Sequence, residues 1–164
     1  MNDSFILRDR KWRETNERVT LSSYAMLSEE SKGRLKKEDQ DPFRTVFERD
    51  RDRIIHSKTF RRLKHKTQVF INPDGDHFIT RMTHTLNVTQ IGRSIAKTLG
   101  LNPDLTEAIC LGHDVGHSPF GHTGEEVLND MLDGGWSHSE NSVKMLSIIE
   151  PVSYTHLRAH ETKA

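Results

Sequence analysis

The chain has 164 residues, 24 Lys and Arg balanced by 24 Asp and Glu, and a hydrophobic fraction of 33%. That length suits one domain with a core and is short for two. No apolar run approaches the ~18–20 residues of a membrane span, and residues 1–10 lack a signal-peptide core, so a cytoplasmic chain with no membrane partner is expected. The single cysteine, Cys110, excludes an internal disulfide framework; within AICLG it reads as a small core residue.

Residues 1–42 are polar without sustained periodicity, and SEESKGRLKKEDQDP reads as an exposed loop, so a polar N-terminal arm is expected. From Pro42 the pattern turns helical, with Phe43, Phe47, Ile54, Phe60 and Leu63 near helical spacing among arginines. INPDGD, residues 71–76, is a turn. The next helix runs from about 80 to 99 and is closed by Gly100. Its apolar stripe contains Val88, Ile91, Ile95 and Leu99, and His84 lies four before Val88, which predicts a histidine on the buried face. Asn102 and Pro103 open another helix, in which Leu105, Ile109 and His113 repeat by four. A helix over about 122–132 carries Val127, Leu128, Met131 and Leu132, and ends at Gly134 and Gly135. Ser137 to Glu140 has capping-box spacing ahead of a last helix marked by Val143, Leu146 and Ile149. With no convincing strand or repeat, the expected fold class is all-α.

Zero net charge hides a division. Residues 44–66 hold nine Lys or Arg against three acids, whereas residues 102–150 hold only Lys144 against nine acids. A basic half facing an acidic, histidine-bearing half suits an anionic ligand held with a metal; two solvated helix faces of opposite sign are the plain alternative.

The densest chemistry is HDVGHSPFGHTGEE, residues 113–126, with three histidines, one aspartate and two glutamates. A histidine on a buried helix face must satisfy both ring nitrogens, for which a backbone carbonyl is the usual partner. His113 followed by Asp114 changes the case. Adjacent helical residues point ~100° apart, so they converge on one ion only where the helix ends, and Gly116 supplies an end. Two imidazoles and a carboxylate make a mixed nitrogen and oxygen site for manganese, magnesium, iron or a similar divalent metal. His122 and Glu125 are three apart at a helix start, where a carboxylate orients and charges an imidazole, giving a proton donor for a poor leaving group. Arg81, three before His84, is placed to hold a phosphate.

His84 with His113 and Asp114 resembles the HD-domain metal-dependent phosphohydrolases. DRDRIIHSKTFRRLKHKTQVF, TRMTHTLNVTQIGRSIAKTLGL, HDVGHSPFGHTGEEVLN and WSHSENSVKML together resemble the deoxyguanosine triphosphate triphosphohydrolase branch, from about Arg18 to Glu150. The resemblance implies an HD-domain helical bundle and a metal-dependent conversion of a deoxynucleoside triphosphate to deoxynucleoside and triphosphate, with a preference for the guanine nucleotide. It implies that His84, His113 and Asp114 are three of four metal ligands, the fourth being an aspartate further along than this chain reaches. It gives His122 and Glu125 a catalytic role, places His117 against the phosphates, makes His138 an active-site histidine and sets Gln68 against the deoxyribose. Arg61, Arg62, Lys64 and Lys66 would line the approach, while His56, His65 and His77 read as surface or structural residues. The resemblance also implies a homo-oligomer for the full-length parent.

The expected organisation is an arm over 1–42, a partial HD domain over 43–150 and a tail over 151–164. The tail, PVSYTHLRAHETKA, departs from the family and reads as vector-derived sequence. His156 and His160 are four apart, but no Glu follows His156 to make HExxH. A truncated bundle of this kind is expected to bind metal weakly and to expose apolar helix faces. Two other readings remain open, another HD nucleotide phosphohydrolase or phosphodiesterase, and a single-stranded DNA-binding module using residues 44–66.

Overall fold

The computed structural model describes residues 7–33, 38–66 and 79–149. Among these residues the fold is all-α, with seven α-helices and no strand. They are α1 (Arg10–Thr20), α2 (Val46–His56), α3 (Lys58–Arg62), α4 (Arg81–Thr98), α5 (Pro103–Gly112), α6 (Gly121–Met131) and α7 (His138–Lys144). α7 runs into a π-helical turn, Met145–Ile149. None of the described helices is long and apolar enough to cross a membrane. The 71–76 turn, Gln68, His77 and the tail with His156 and His160 lie outside the described residues.

The helix starts follow local chemistry. Thr45 and Glu48 form a reciprocal capping box at α2, the Ser57 hydroxyl caps α3, and the Asn102 side chain accepts from the N–H groups of Asp104 and Leu105 with Pro103 at the first position of α5. α5 lies centrally between α2 and α4. The buried core joins Ile54 of α2, Phe60 and Leu63 just after it, Ala108 and Leu111 of α5, Val115, and Leu146 beyond α7, with Met82 packed against them. Phe43, expected in this stripe, is exposed.

Two larger expectations also change. Residues 10–20 form a helix where a polar arm without periodicity is expected. Asp9 caps α1 by accepting from the Trp12 N–H, Arg10 pairs with Glu14, and Arg13 reaches Glu48 at 2.9 Å. α1 buries no residue, so hydrophobic periodicity carries no trace of it. Charge, capping and backbone bonds hold the segment instead. Glu17 accepts from both the N–H and hydroxyl of the buried Ser28 at 2.7 Å, and the Ser22 N–H donates to the Gly100 carbonyl.

The second change concerns which face of α4 is inside. Ile91, Ile95 and Leu99 are more than half exposed, whereas Arg81, Thr85, Thr89 and Ala96 are buried. Small side chains let α4 and α5 approach closely. A Cβ on Gly92 would come within 2.8 Å of Cys110 Sγ. Thr89 meets its hydrogen-bond need by donating to the Thr85 carbonyl at 2.7 Å. α6 likewise exposes Val127, Met131 and Leu132. Hydropathy therefore marked the outer faces of both helices, while side-chain size selected the inner face of α4.

The turn after α5 is pinned from the side by α7. A Cβ on Gly116 would lie 2.2 Å from the Ser142 nitrogen and 2.5 Å from the Asn141 carbonyl carbon. Gly116 is absent from the positive-φ residues, so close approach and not a left-handed turn requires it. Ser142 Oγ accepts from the Gly116 N–H at 2.9 Å and lies 2.8 Å from the carbonyl oxygens of His113 and His138. The Asn141 side-chain amide donates to the Gly116 carbonyl at 2.7 Å. Gly116→Ala is expected to destabilise the chain by about 3 kcal/mol through forced separation of α7 from this turn, read as a lowered urea midpoint.

Candidate metal centre and histidine cluster

α4 presents His84 one turn from its start, and α5 ends where His113 and Asp114 follow. The two rings face edge to face with centroids 5.7 Å apart, and one ligand atom from each of His84, His113 and Asp114 lies within 4.8 Å of the others. The sequence-predicted trio therefore converges. His84 and His113 are only partly buried; Asp114 is buried.

Hydrogen bonding shows what the trio is prepared to hold. His113 Nδ1 lies 2.6 Å from the Cys110 carbonyl oxygen, which can only accept, so that nitrogen carries the proton. Nε2 is the ring atom left to offer a lone pair to a cation, 3.7 Å from Asp114 Oδ1. The other carboxylate oxygen, Oδ2, is held at 2.9 Å by Arg81. Two electron-rich atoms facing one another across this gap fit a shared cation, and the carbonyl behind His113 fixes its tautomer as metal-ligating histidines require. Burial raises the Asp114 carboxyl, but the charge His113 carries when its ring is protonated, with the Arg81 hydrogen bond and charge, outweighs it and holds the group below its ordinary value.

Arg81 occupies a different position from the phosphate grip expected of it. It is 4% exposed, one terminal nitrogen is engaged with Asp114, and its Nε has no partner among the described residues. It orients the carboxylate. Lys66, from the basic segment, does reach this neighbourhood. Its Nζ donates to the His117 carbonyl at 2.7 Å, and burial followed by the Arg81 charge lowers its pKa.

Five arginines of the basic segment are turned to intramolecular work. Arg44 pairs with Asp41 and Asp52, Arg49 and Arg53 with Glu38, and Arg51 with Asp52, Asp104 and Glu107. Arg61 bends back to the His56 carbonyl at 3.0 Å. Charge balance within the fold thus accounts for much of the stretch considered for single-stranded DNA.

A second cluster lies beside the first, built from the loop after Asp114, the start of α6 and the start of α7. One ligand atom from each of His117, His122, Glu125 and His138 lies within 4.8 Å of the others. Glu125 organises it. Its Oε2 lies 3.2 Å from His122 Nδ1, both its oxygens lie 2.9 Å from His138 Nδ1, and Oε1 also accepts the His138 backbone N–H. Glu125 therefore caps α7. The expected Ser137 capping box does not form, because the Ser137 hydroxyl pairs with Ser139 at 2.7 Å. Burial raises the Glu125 carboxyl, but hydrogen bonds from His138 prevail and bring it down to about 2.

His117 stacks on His138 with centroids 4.6 Å apart and meets His122 edge-on at 5.2 Å. It is only 3% exposed, whereas the family resemblance implies a contact with the phosphates. Its Nε2 is buried without a partner among the described residues. Burial, then the positive charge of Arg81, lowers its pKa to about 4. The tight loop that seats it uses Phe120 at φ 65° and brings Gly124 under the Pro119 carbonyl, where a Cβ would lie 2.0 Å from that oxygen.

A family model for the HD domain matches residues 81–162, half of the chain and all seven residues of the two clusters. The chain belongs to the HD-domain family. The matched span enters the segment after residue 150 that sequence reading sets outside the family. A deoxyguanosinetriphosphate triphosphohydrolase-like protein of Caldanaerobacter subterraneus subsp. tengcongensis is 64% identical over 130 residues, covering 79% of this chain and 38% of that protein. One of Clostridium tetani is 59% identical over 141 residues, covering 86% of this chain and 40% of the relative. A relative of the same name from Geobacter metallireducens is 52% identical over 138 residues, with 83% and 36% covered. The HD-domain chain thus spans about two-fifths of the length of these curated relatives.

Sequence reasoning missed Ser142, Asn141 and the Cys110 carbonyl. The Ser142 signal is its four-residue spacing from His138; the carbonyl lies one turn before His113 and has no residue-type signature.

The buried neutral His117 has a thermodynamic consequence. With a folded pKa of about 4 against 6.5 for the unfolded ring, the unfolded chain binds more protons between those values. Stability from this ring is full above 6.5 and is lost as pH falls toward 4, with a slope of at most about 1.4 kcal/mol per pH unit. In metal-free buffer, the urea midpoint is expected to fall across this window, with a shallower fall in His117→Gln.

Proposed function

We propose that this chain supplies the HD portion of a metal-dependent hydrolase that converts dGTP and water to deoxyguanosine and inorganic triphosphate. The reading is carried by the facing lone pairs of His113 Nε2 and Asp114 Oδ1, 3.7 Å apart, with His84 alongside. The names of the similar proteins support the guanine nucleotide as substrate. In this reading the divalent ion is held by His84, His113 and Asp114, with manganese, magnesium and iron all suited to such donors; the family resemblance implies an aspartate as a fourth ligand.

When bound, the ion supplies Lewis acidity toward a phosphate oxygen and makes water more acidic. Arg81 keeps Asp114 Oδ1 directed at the ion by holding Oδ2. Lys66 supplies positive charge close to the trio, where a triphosphate needs neutralising. Hydrolysis at the α-phosphorus breaks its bond to the 5′ oxygen, which needs a proton to depart. His122 suits this task because its ring is exposed while Nδ1 is anchored to Glu125, leaving Nε2 to face a substrate. His138 shares the same carboxylate and fixes its direction, and His117 backs His138 by stacking. Gln68 is assigned to the deoxyribose on the family resemblance.

The reaction is tested by incubating a form extended to the relatives' length with dGTP and Mn(II). Equimolar deoxyguanosine and triphosphate are expected; pyrophosphate or orthophosphate as the first product would reject the assignment. Asp114→Asn is expected to lower the rate on the order of 10³-fold, because it weakens both the cation site and the Arg81 contact.

A further inference from the structure

We propose that His117, His122, Glu125 and His138 form a second divalent-cation site, separate from the His84, His113 and Asp114 trio. It takes a metal that favours nitrogen donors in tetrahedral geometry, such as Zn(II) or Co(II). The two sites differ in composition. The trio offers two nitrogens and an oxygen, whereas the second cluster offers three imidazoles and one carboxylate from three separate elements. Three histidines and a carboxylate complete a four-coordinate shell for these ions without water.

Three features show that the cluster is preassembled. Ring packing places His117 4.6 Å from His138 and 5.2 Å from His122, and His122 and His138 6.0 Å apart, all by centroid. Glu125 gathers two of these rings, with His122 Nδ1 and His138 Nδ1 both within hydrogen-bond reach of its Oε2. The buried His117 Nε2 has no hydrogen-bond partner among the described residues, which leaves a buried polar atom in want of a ligand. A neutral imidazole can move its proton from Nδ1 to Nε2, so His122 and His138 can exchange their bonds to Glu125 for ligation without becoming charged. Glu125 then exchanges two N–H donors for one cation. Any imidazolium or excess proton is released to solvent on binding.

Occupancy would withdraw His122 from proton donation and Glu125 from anchoring it, so the same cluster has two exclusive states, an open acid and a closed metal site. The metal assignment does not require the proposed reaction, and binding measurements distinguish its failure from that of the hydrolase reading.

The test is titration of the metal-free chain with Co(II), followed by visible absorption and by bound stoichiometry after gel filtration. Intense absorption of a tetrahedral Co(II) centre is expected. His122→Ala removes a ring whose side chain is 78% exposed and whose only described hydrogen bond is to Glu125, so the fold should persist by circular dichroism. This variant is expected to bind one Co(II) fewer per chain and to lose the intense bands, whereas Asp114→Ala retains them. Bands that persist in His122→Ala, or vanish in Asp114→Ala with its helicity intact, would overturn the proposal. So would equal stoichiometry in the parent and His122→Ala. If Asp114→Ala loses helicity, His84→Ala serves the same comparison.

Discussion

The centre depends on the backbone of α7 touching the turn that ends α5. Gly116 has no side chain, and Ser142 and Asn141 fill the space a Cβ would take while bonding to the turn's N–H and carbonyl groups. The Ser142 hydroxyl lies between the carbonyls of His113 and His138, so one side chain ties the first cluster to the second. A shift in α7 would therefore move His138 away from Glu125 and at the same time loosen the peptide that carries His113. The chemistry of the two clusters is separable, but their positions are mechanically shared.

Electrostatics complement this packing. The Arg81–Asp114 pair is buried on both sides, with each side chain 5% exposed. Such a pair gains little net stability over an apolar replacement, because both groups lose water. What it fixes is direction: the charge on Asp114 is divided so that one oxygen is held and the other faces His113. Elsewhere, arginines of α2 pair with acids before and after it in sequence, including Glu38, Asp104 and Glu107. Part of the charge division along the sequence therefore becomes local neutralisation once the helices meet, with Lys66 directed toward the centre.

Much of the site was readable because it used sequence-local rules. The His113 and Asp114 pair at a helix end, the three-residue spacing of His122 and Glu125, and the caps of α2 and α5 each follow from geometry over a few residues. The errors fall where distant contacts override local pattern. α1 is stabilised by Glu48 and by backbone bonds from other segments, neither of which leaves periodicity in residues 10–20. The inward face of α4 departs from its aliphatic stripe because Thr85, Thr89 and Gly92 permit a close helix approach that larger aliphatic residues would prevent. Ser137 has a cap-forming side chain, yet a carboxylate from α6 takes the α7 N–H instead.

Glu125 is also the mechanical coupling between α6 and α7, since it engages His138 through both ring and backbone. A survey that truncates this side chain and records only turnover would confuse a displaced helix with a lost proton relay. Function and architecture share one carboxylate here, which narrows the substitutions evolution can accept at that position to those that preserve shape and acceptor geometry together.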